Sequence, residues 1–343
     1  MQEQLAITPI IITPGDPAGI GPEIALKALC HNDALRHGSV LIGDKAHLTS
    51  LSADLGLDCE FAKWTPGAPL LSGKINLAEI EWPSPIVAGK PDKANASLVI
   101  EAIETAVRLA QTGDVRAIVT CPIAKANLYE AGFSYPGHTE FLGALSVTNA
   151  PIMMLANSQL RVVPATIHIA LSEVQKTLSQ DTLSKLITDV SAALQQDFGI
   201  KAPRIAICGL NPHAGENGAM GEDEIHLIAP AIKAAQSTLG GQIMLEGPLP
   251  ADSLFHPAKR SDYDCIIGMY HDQVLIPVKT IDFHGTVNIT LGLDFIRTSP
   301  DHGTAFDIAG KGLANEMSLV NAITGAQRMA EQRFGSQNEQ TYD

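Results

Sequence analysis

The chain has 343 residues, of which 37 are acidic and 23 basic, giving a formal charge of −14. A hydrophobic share of 45% and a charged share of 17% fit a folded globular protein with a sizeable core, and the length suits roughly two domains of about 150 residues each. The acidic balance, the lack of any basic run and an aromatic content of 5% argue against nucleic acid as a partner.

In chain order, Pro9–Thr13, Val40–Ile42, Ala117–Thr120, Ile152–Leu155, Val162–Ile169, Ile205–Cys208 and Cys265–Met269 read as buried strands. Each is short, rich in Ile and Val, and bounded by turn formers. Their uniformly apolar character suits a sheet covered on both faces. Ala96–Gln111, Asp181–Phe198, Glu222–Leu239 and Met317–Phe334 carry helical periodicity between them. The alternation predicts an α/β fold with a mostly parallel sheet.

No apolar run approaches the length of about 20 residues needed to span a bilayer, and no basic segment precedes an apolar stretch at the start. A cytoplasmic protein with no membrane partner is the expectation. Five scattered cysteines, Cys30, Cys59, Cys121, Cys208 and Cys265, form no CxxC pair. Reduced thiols are therefore expected, with Cys208 and Cys265 as core residues. His31, His37 and His47 read as solvated surface residues.

Three histidines share one context. His168, His213 and His271 stand at or just past the carboxyl ends of predicted strands, where open α/β sheets bind ligands. Three imidazoles gathered there can hold a divalent metal with a coordination position left open. Structural hydrogen bonding is the equally weighted alternative. Asp272 and Glu216 can orient an imidazole or move a proton, or simply cap a turn.

Cations end two apolar stretches: Lys279 after Val274–Val278, and Arg297 after Leu291–Ile296. Each can meet a phosphate or carboxylate, or snorkel at the surface. His138 and Thr139 sit where a turn enters a helix, so the N-terminal N–H groups can favour an anion, or Thr139 can cap. The segment Thr13–Glu23 is a tight strand-to-helix turn that matches neither nucleotide-binding glycine fingerprint.

As a set, Thr-Pro-Gly-Asp-Pro-Ala-Gly-Ile-Gly-Pro-Glu (13–23), Gly-His-Thr-Glu-Phe (137–141), Gly-Leu-Asn-Pro-His-Ala-Gly-Glu (209–216), Gly-Pro-Leu-Pro-Ala-Asp (247–252), Tyr-His-Asp-Gln (270–273) and Asn-Ile-Thr-Leu-Gly-Leu-Asp-Phe-Ile-Arg-Thr-Ser (288–299) resemble the 4-hydroxythreonine-4-phosphate dehydrogenases of pyridoxal phosphate biosynthesis. The resemblance implies NAD-dependent oxidation of 4-phosphooxy-L-threonine, then loss of carbon dioxide to give 3-amino-2-oxopropyl phosphate. It implies His168, His213 and His271 as ligands of one divalent metal per site, with zinc, cobalt and magnesium as candidates. It implies His138, Thr139, Lys279, Asn288 and Arg297 as contacts to the small phosphorylated substrate. It also implies a homodimer with the site at the subunit interface, His271 coming from the neighbouring subunit. Asp272 and Lys279 are the two candidates for the catalytic base.

A second resemblance lies in Asp301–Asn315, similar to the cofactor loop of isocitrate and isopropylmalate dehydrogenases, with Phe306 where that loop usually has proline. It implies NAD or NADP contacts at His302, Gly303, Thr304, Ala305, Asp307 and Asn315. It also implies two α/β/α domains with an interdomain cleft, here 1–137 with 284–343 and 138–283. Three rivals stay open: a paralogue acting on threonate or erythronate 4-phosphate, a metal-dependent hydrolase, and a non-enzymatic anion binder.

Overall fold

The structure, a computed structural model, describes residues 4–5, 7–135, 137–148, 151–335 and 341–342. The elements that carry the argument begin with β1 (Ile10–Thr13), α1 (Gly21–His31), β2 (Ser39–Gly43), β3 (Phe61–Lys63), β4 (Ile75–Glu79), α2 (Ala96–Thr112), β5 (Ala117–Thr120), α3 (Lys125–Glu130) and α4 (His138–Leu145). There follow β6 (Ile152–Ala156), β7 (Arg161–Pro164), α5 (Gln180–Phe198), β8 (Arg204–Cys208), α6 (Ala229–Leu239), β9 (Met244–Leu249), β10 (Cys265–Gly268), α7 (His271–Ile281), β11 (Val287–Leu291), β12 (Ile296–Pro300) and α8 (Met317–Phe334).

The chain divides into two compact units, Met1–Pro151 with Leu293–Asp343, and Ile152–Gly292. The strands of the first run β12-β5-β1-β2-β4-β3, all parallel. Ile10 is in register with both Ala117 and Ser39. Ile11, Ile12, Val40 and Ile118 are sealed from solvent, as strands covered on both faces require. The apolar face of α2 packs Val99, Ile103, Ala106 and Val107 into this core with Phe141 and Leu142 of α4. That packing places α4 in the first unit, although the division after residue 137 would assign it to the second.

The strands of the second unit run β9-β8-β10-β7-β6-β11. β9, β8, β10 and β7 are parallel, while β6 is antiparallel to both of its neighbours. The reversal is local. Asn157 Oδ1 accepts from the backbone N–H groups of Gln159 and Leu160 at 2.9 and 3.0 Å, closing a tight hairpin between β6 and β7. Pairing with β6 places β11 in this unit, where a boundary after 283 would exclude it. The long helix α5 starts with a reciprocal Ser179–Thr182 capping box and stops at left-handed Gly199.

Several sequence expectations need correction. The run Val162–Ile169 leaves the sheet after Pro164, so His168 lies four residues into the following loop. Helix 222–239 opens as a wider π turn over Glu224–Ile228 before α6 begins. Strands β4 and β12 carry polar residues that hid them. Asn76 in β4 is buried because its amide binds Leu71 on both sides, and β12 is buried throughout despite reading Ile-Arg-Thr-Ser-Pro.

Cys30 and Cys59 are joined by a disulfide between the last turn of α1 and the segment before β3, against the expectation of reduced thiols. A separation of 29 residues gives no hint that the fold brings these positions to a Cα–Cα distance of 6.2 Å. Cys121, Cys208 and Cys265 are buried thiols, each pushed up to about 12 by desolvation. His47 is half-buried with its Nε2 out of reach of solvent, and burial lowers its pKa, so it is not a solvated residue. Among the described residues, no helix is long and apolar enough to cross a membrane.

Candidate active site

Parallel strands deliver their carboxyl ends to one edge, and in the first unit that edge gathers three loops. The turn after β1 folds back on the segment after β5, with Asp16 N–H donating to Pro122 O at 2.9 Å. Gly15 makes this approach possible: its φ is +68°, and a Cβ there would lie 2.2 Å from Pro122 O. Asp16 Oδ1 accepts from Ala18 N–H at 3.0 Å, and burial raises the Asp16 pKa. The loop after β12 is tied in by Ile20 N–H, which donates to Thr304 O at 3.0 Å.

Cationic groups line this same edge. Arg297 is not the exposed end of an apolar run. It is the second residue of β12 and 2% exposed, with burial pulling its pKa down to about 10. Its guanidinium donates from Nε and Nη2 to the Thr120 hydroxyl that ends β5. His138 opens α4, where Gly137 is the N-cap and no side chain caps the helix, so Thr139 does not serve as a cap. The buried His138 Nε2 has no hydrogen-bond partner among the described residues. Desolvation, then the charges of Arg297 and Lys125, hold the His138 pKa well below the usual histidine value. A buried ring nitrogen of this kind beside a buried guanidinium is suited to an anion.

The second unit places all three histidines off the ends of adjacent parallel strands, β7, β8 and β10. Thr166 ties the β7 loop to the β10 end by donating its hydroxyl to Met269 O at 2.8 Å. Gln273 joins β10 to β8, its Oε1 accepting Met269 N–H at 2.7 Å and its Nε2 donating to Gly209 O at 2.8 Å. The rings of His168 and His271 lie 5.9 Å apart. Asp272 Oδ1 accepts from His271 Nδ1 at 2.7 Å, which favours the tautomer that leaves Nε2 for a ligand.

His213 sits on a backbone run of unusual hand. His213, Ala214, Gly215, Glu216, Asn217 and Gly218 all have positive φ, from 44° to 94°. Such a left-handed stretch is strained for L-residues. Buried Glu224 holds its entrance. One carboxylate oxygen accepts Leu210 N–H and Asn211 N–H, both at 2.8 Å, and the other accepts Asn211 Nδ2 at 3.0 Å. Glu216 itself is exposed on the turn. Among the described residues, no group of three or more His, Cys, Asp or Glu forms a metal-holding cluster within the chain.

The other expected site residues are placed as follows. Lys279 follows the apolar stretch Val274–Val278 in the last turn of α7, with its Nζ 5.8 Å from the Phe283 ring centroid. Asn288 is the second residue of β11, and its buried Oδ1 has no hydrogen-bond partner among the described residues. In the 302–315 loop, His302 Nδ1 contacts Gly303 O at 3.1 Å while its buried Nε2 has no hydrogen-bond partner among the described residues. Ala305 adopts a left-handed φ of 42°, Asp307 is exposed, and Asn315 Oδ1 accepts Met317 N–H at 2.8 Å at the start of α8.

The chain matches the family described as "Pyridoxal phosphate biosynthetic protein PdxA" over residues 36–326. It belongs to the PdxA family. A relative named 4-hydroxythreonine-4-phosphate dehydrogenase in Paracoccus denitrificans (strain Pd 1222) is 48% identical over 95% of this chain and 98% of its own length. Another of that name in Ruegeria sp. (strain TM1040) is 50% identical over 94% and 97%. The crystal structure of 4-hydroxythreonine-4-phosphate dehydrogenase from Klebsiella pneumoniae superposes with a TM-score of 0.87 at 38% identity, covering 95% of this chain and 98% of that one. The PdxA match spans both compact units. Thr120, Lys125, Glu224 and Gln273 are additions that sequence reasoning did not single out. Only Thr120 left a trace, as the lone hydroxyl closing an apolar strand.

Proposed function

We propose that this protein oxidises the 3-hydroxyl of 4-phosphooxy-L-threonine with NAD, with loss of carbon dioxide to give 3-amino-2-oxopropyl phosphate. The observation that carries this reading is the match to relatives of that name over nearly the full chain. The geometry supports it: a buried guanidinium near an imidazole whose Nε2 has no partner among the described residues suits a phosphorylated or carboxylated substrate.

His138, Thr139 and Arg297 hold an anionic group of the substrate, with Thr120 orienting the guanidinium. Lys279 and the unpartnered Asn288 Oδ1 contact polar substrate groups. His168, His213 and His271 hold a divalent cation. The donor chemistry fits, since His271 is locked by Asp272 into the tautomer a metal needs. Imidazoles suit zinc or cobalt better than magnesium. A cation held there supplies polarisation of the alcohol and of the ketone it becomes. His302, Gly303, Thr304, Ala305, Asp307 and Asn315 would hold NAD, which when bound would supply hydride acceptance. Asp272, which already accepts from His271, and Lys279 are the two candidates to take the proton of the substrate hydroxyl. A second copy of the chain contributes its own His271 to complete each metal set, which makes the working unit a homodimer.

The test is NADH formation on 4-phosphooxy-L-threonine, with threonate 4-phosphate as the comparison. Turnover of the first, lost with a chelator and restored by zinc or cobalt, is the expected result. Turnover of the threonate phosphate alone, or activity indifferent to chelation and to His213→Ala, overturns it.

A further inference from the structure

Glu23 lies in the first turn of α1 and is completely buried, at 0% exposure. A carboxylate in that place normally turns back to cap its own helix. Glu23 does something else. Its Oε2 accepts Gly310 N–H at 3.0 Å, and its Oε1 accepts Ala314 N–H at 3.1 Å and Lys27 Nζ at 2.9 Å. Lys27 then donates onward to Gly312 O at 2.8 Å and Ala314 O at 2.7 Å. All three ammonium protons thus have acceptors, and both carboxylate oxygens are used.

Every partner outside α1 is main chain of the 302–315 loop. Two side chains from a helix almost 300 positions away in sequence thus grip the loop's main chain, in addition to the loop's own Lys311 Nζ, which donates to Asp307 O at 2.7 Å. Gly310 and Gly312 both have φ of +71°, so the segment being gripped is one that bends freely on its own. The other end of the loop is clasped by the same N-terminal motif, through Ile20 N–H to Thr304 O.

We propose that the Glu23–Lys27 pair is a positioning device for nicotinamide nucleotide binding: it holds the 302–315 loop in its receptive shape without touching the nucleotide. This rests on the reading of that loop as the cofactor seat. The pair sits in the first unit together with the loop, and nothing in its contacts reaches the histidines of the second unit.

The experiment is titration of the purified full chain with NADH by fluorescence, together with steady-state kinetics, on Glu23→Gln, Lys27→Met, Lys27→Arg and Asp307→Ala. Glu23→Gln and Lys27→Met are expected to weaken NADH binding and raise the KM for NAD by tenfold or more. kcat at saturating NAD, the KM for substrate and the metal content should stay near wild type. Lys27→Arg, which keeps charge and donors, is expected to recover much of the binding. Should Glu23→Gln or Lys27→Met fail to fold, Gly312→Ala strains the gripped segment while leaving α1 intact, and is expected to show the same loss. If Asp307→Ala weakens NADH binding while Glu23→Gln, Lys27→Met and Gly312→Ala bind as wild type, the positioning role is wrong and the cofactor seat stands. If Asp307→Ala and the α1 variants all leave NADH binding unchanged, the cofactor seat itself is wrong and the inference falls with it.

Discussion

Arg297 directs both Nε and Nη2 at the single hydroxyl of Thr120, at 3.1 and 2.7 Å. A buried guanidinium needs acceptors, and this pairing fixes the plane of the group. Thr120→Val removes the acceptor at almost constant volume. Losing hydrogen bonds to a charged group costs about 1.5–3 kcal/mol, so substrate KM is expected to rise on the order of tenfold or more, with Thr120→Ser close to wild type. Unchanged KM in Thr120→Val would show that this orientation is not used in binding.

His138 gives a pH signature. Its folded-state pKa is depressed, so the unfolded chain takes up a proton that the folded chain resists. Stability is therefore unaffected by this residue above the ordinary histidine pKa of about 6.5 and falls as pH drops below it. In His138→Asn, the difference in Tm between pH 8 and pH 5.5 should shrink relative to wild type. An identical difference in both proteins would contradict the depressed value.

Glu224 anchors the entrance to the turn that bears His213. Glu224→Ala removes the acceptor of two half-buried backbone donors, at a cost of up to about 1–3 kcal/mol each. Tm and bound metal are expected to fall together, measured by thermal melting and by elemental analysis after gentle purification. A lowered Tm with full metal content would mean that the anchor serves the fold and not His213.

The Cys30–Cys59 bridge closes a loop 29 residues long in sequence separation. Loop-closure entropy assigns such a bridge about 3–4 kcal/mol at 25 °C. The double variant Cys30→Ser, Cys59→Ser should unfold at lower denaturant concentration than the oxidised wild type and match wild type kept in reductant. Equal midpoints for oxidised and reduced wild type would rule out a stabilising bridge.

Much of the fold was legible because apolar strands such as Ala117–Thr120 and helices such as Met317–Phe334 declare themselves by composition and period. What escaped was held by long-range partners. Asn76 and Arg297 look unsuited to buried strands until Leu71 and Thr120 are seen to satisfy them. The candidate histidines were visible as strand-end residues, whereas Glu224, Gln273 and Lys125 act through contacts that no local pattern encodes. The disulfide escaped for the same reason, since only the folded chain brings its two ends together.

The left-handed run at 213–218 also narrows the routes by which this region can vary. β-Branched side chains are excluded from positive φ far more strongly than Asn, Asp, His or Gly. Exposed positions such as Glu216 and Asn217 should therefore reject Val, Ile and Thr in a saturation library, although ordinary surface positions accept them. The same library should enrich Gly at Ala214, where it relieves backbone strain, and variants so relieved would trade rigidity around His213 for thermal stability. An apparently permissive surface turn would then behave, in selection, as one of the least negotiable stretches of the chain.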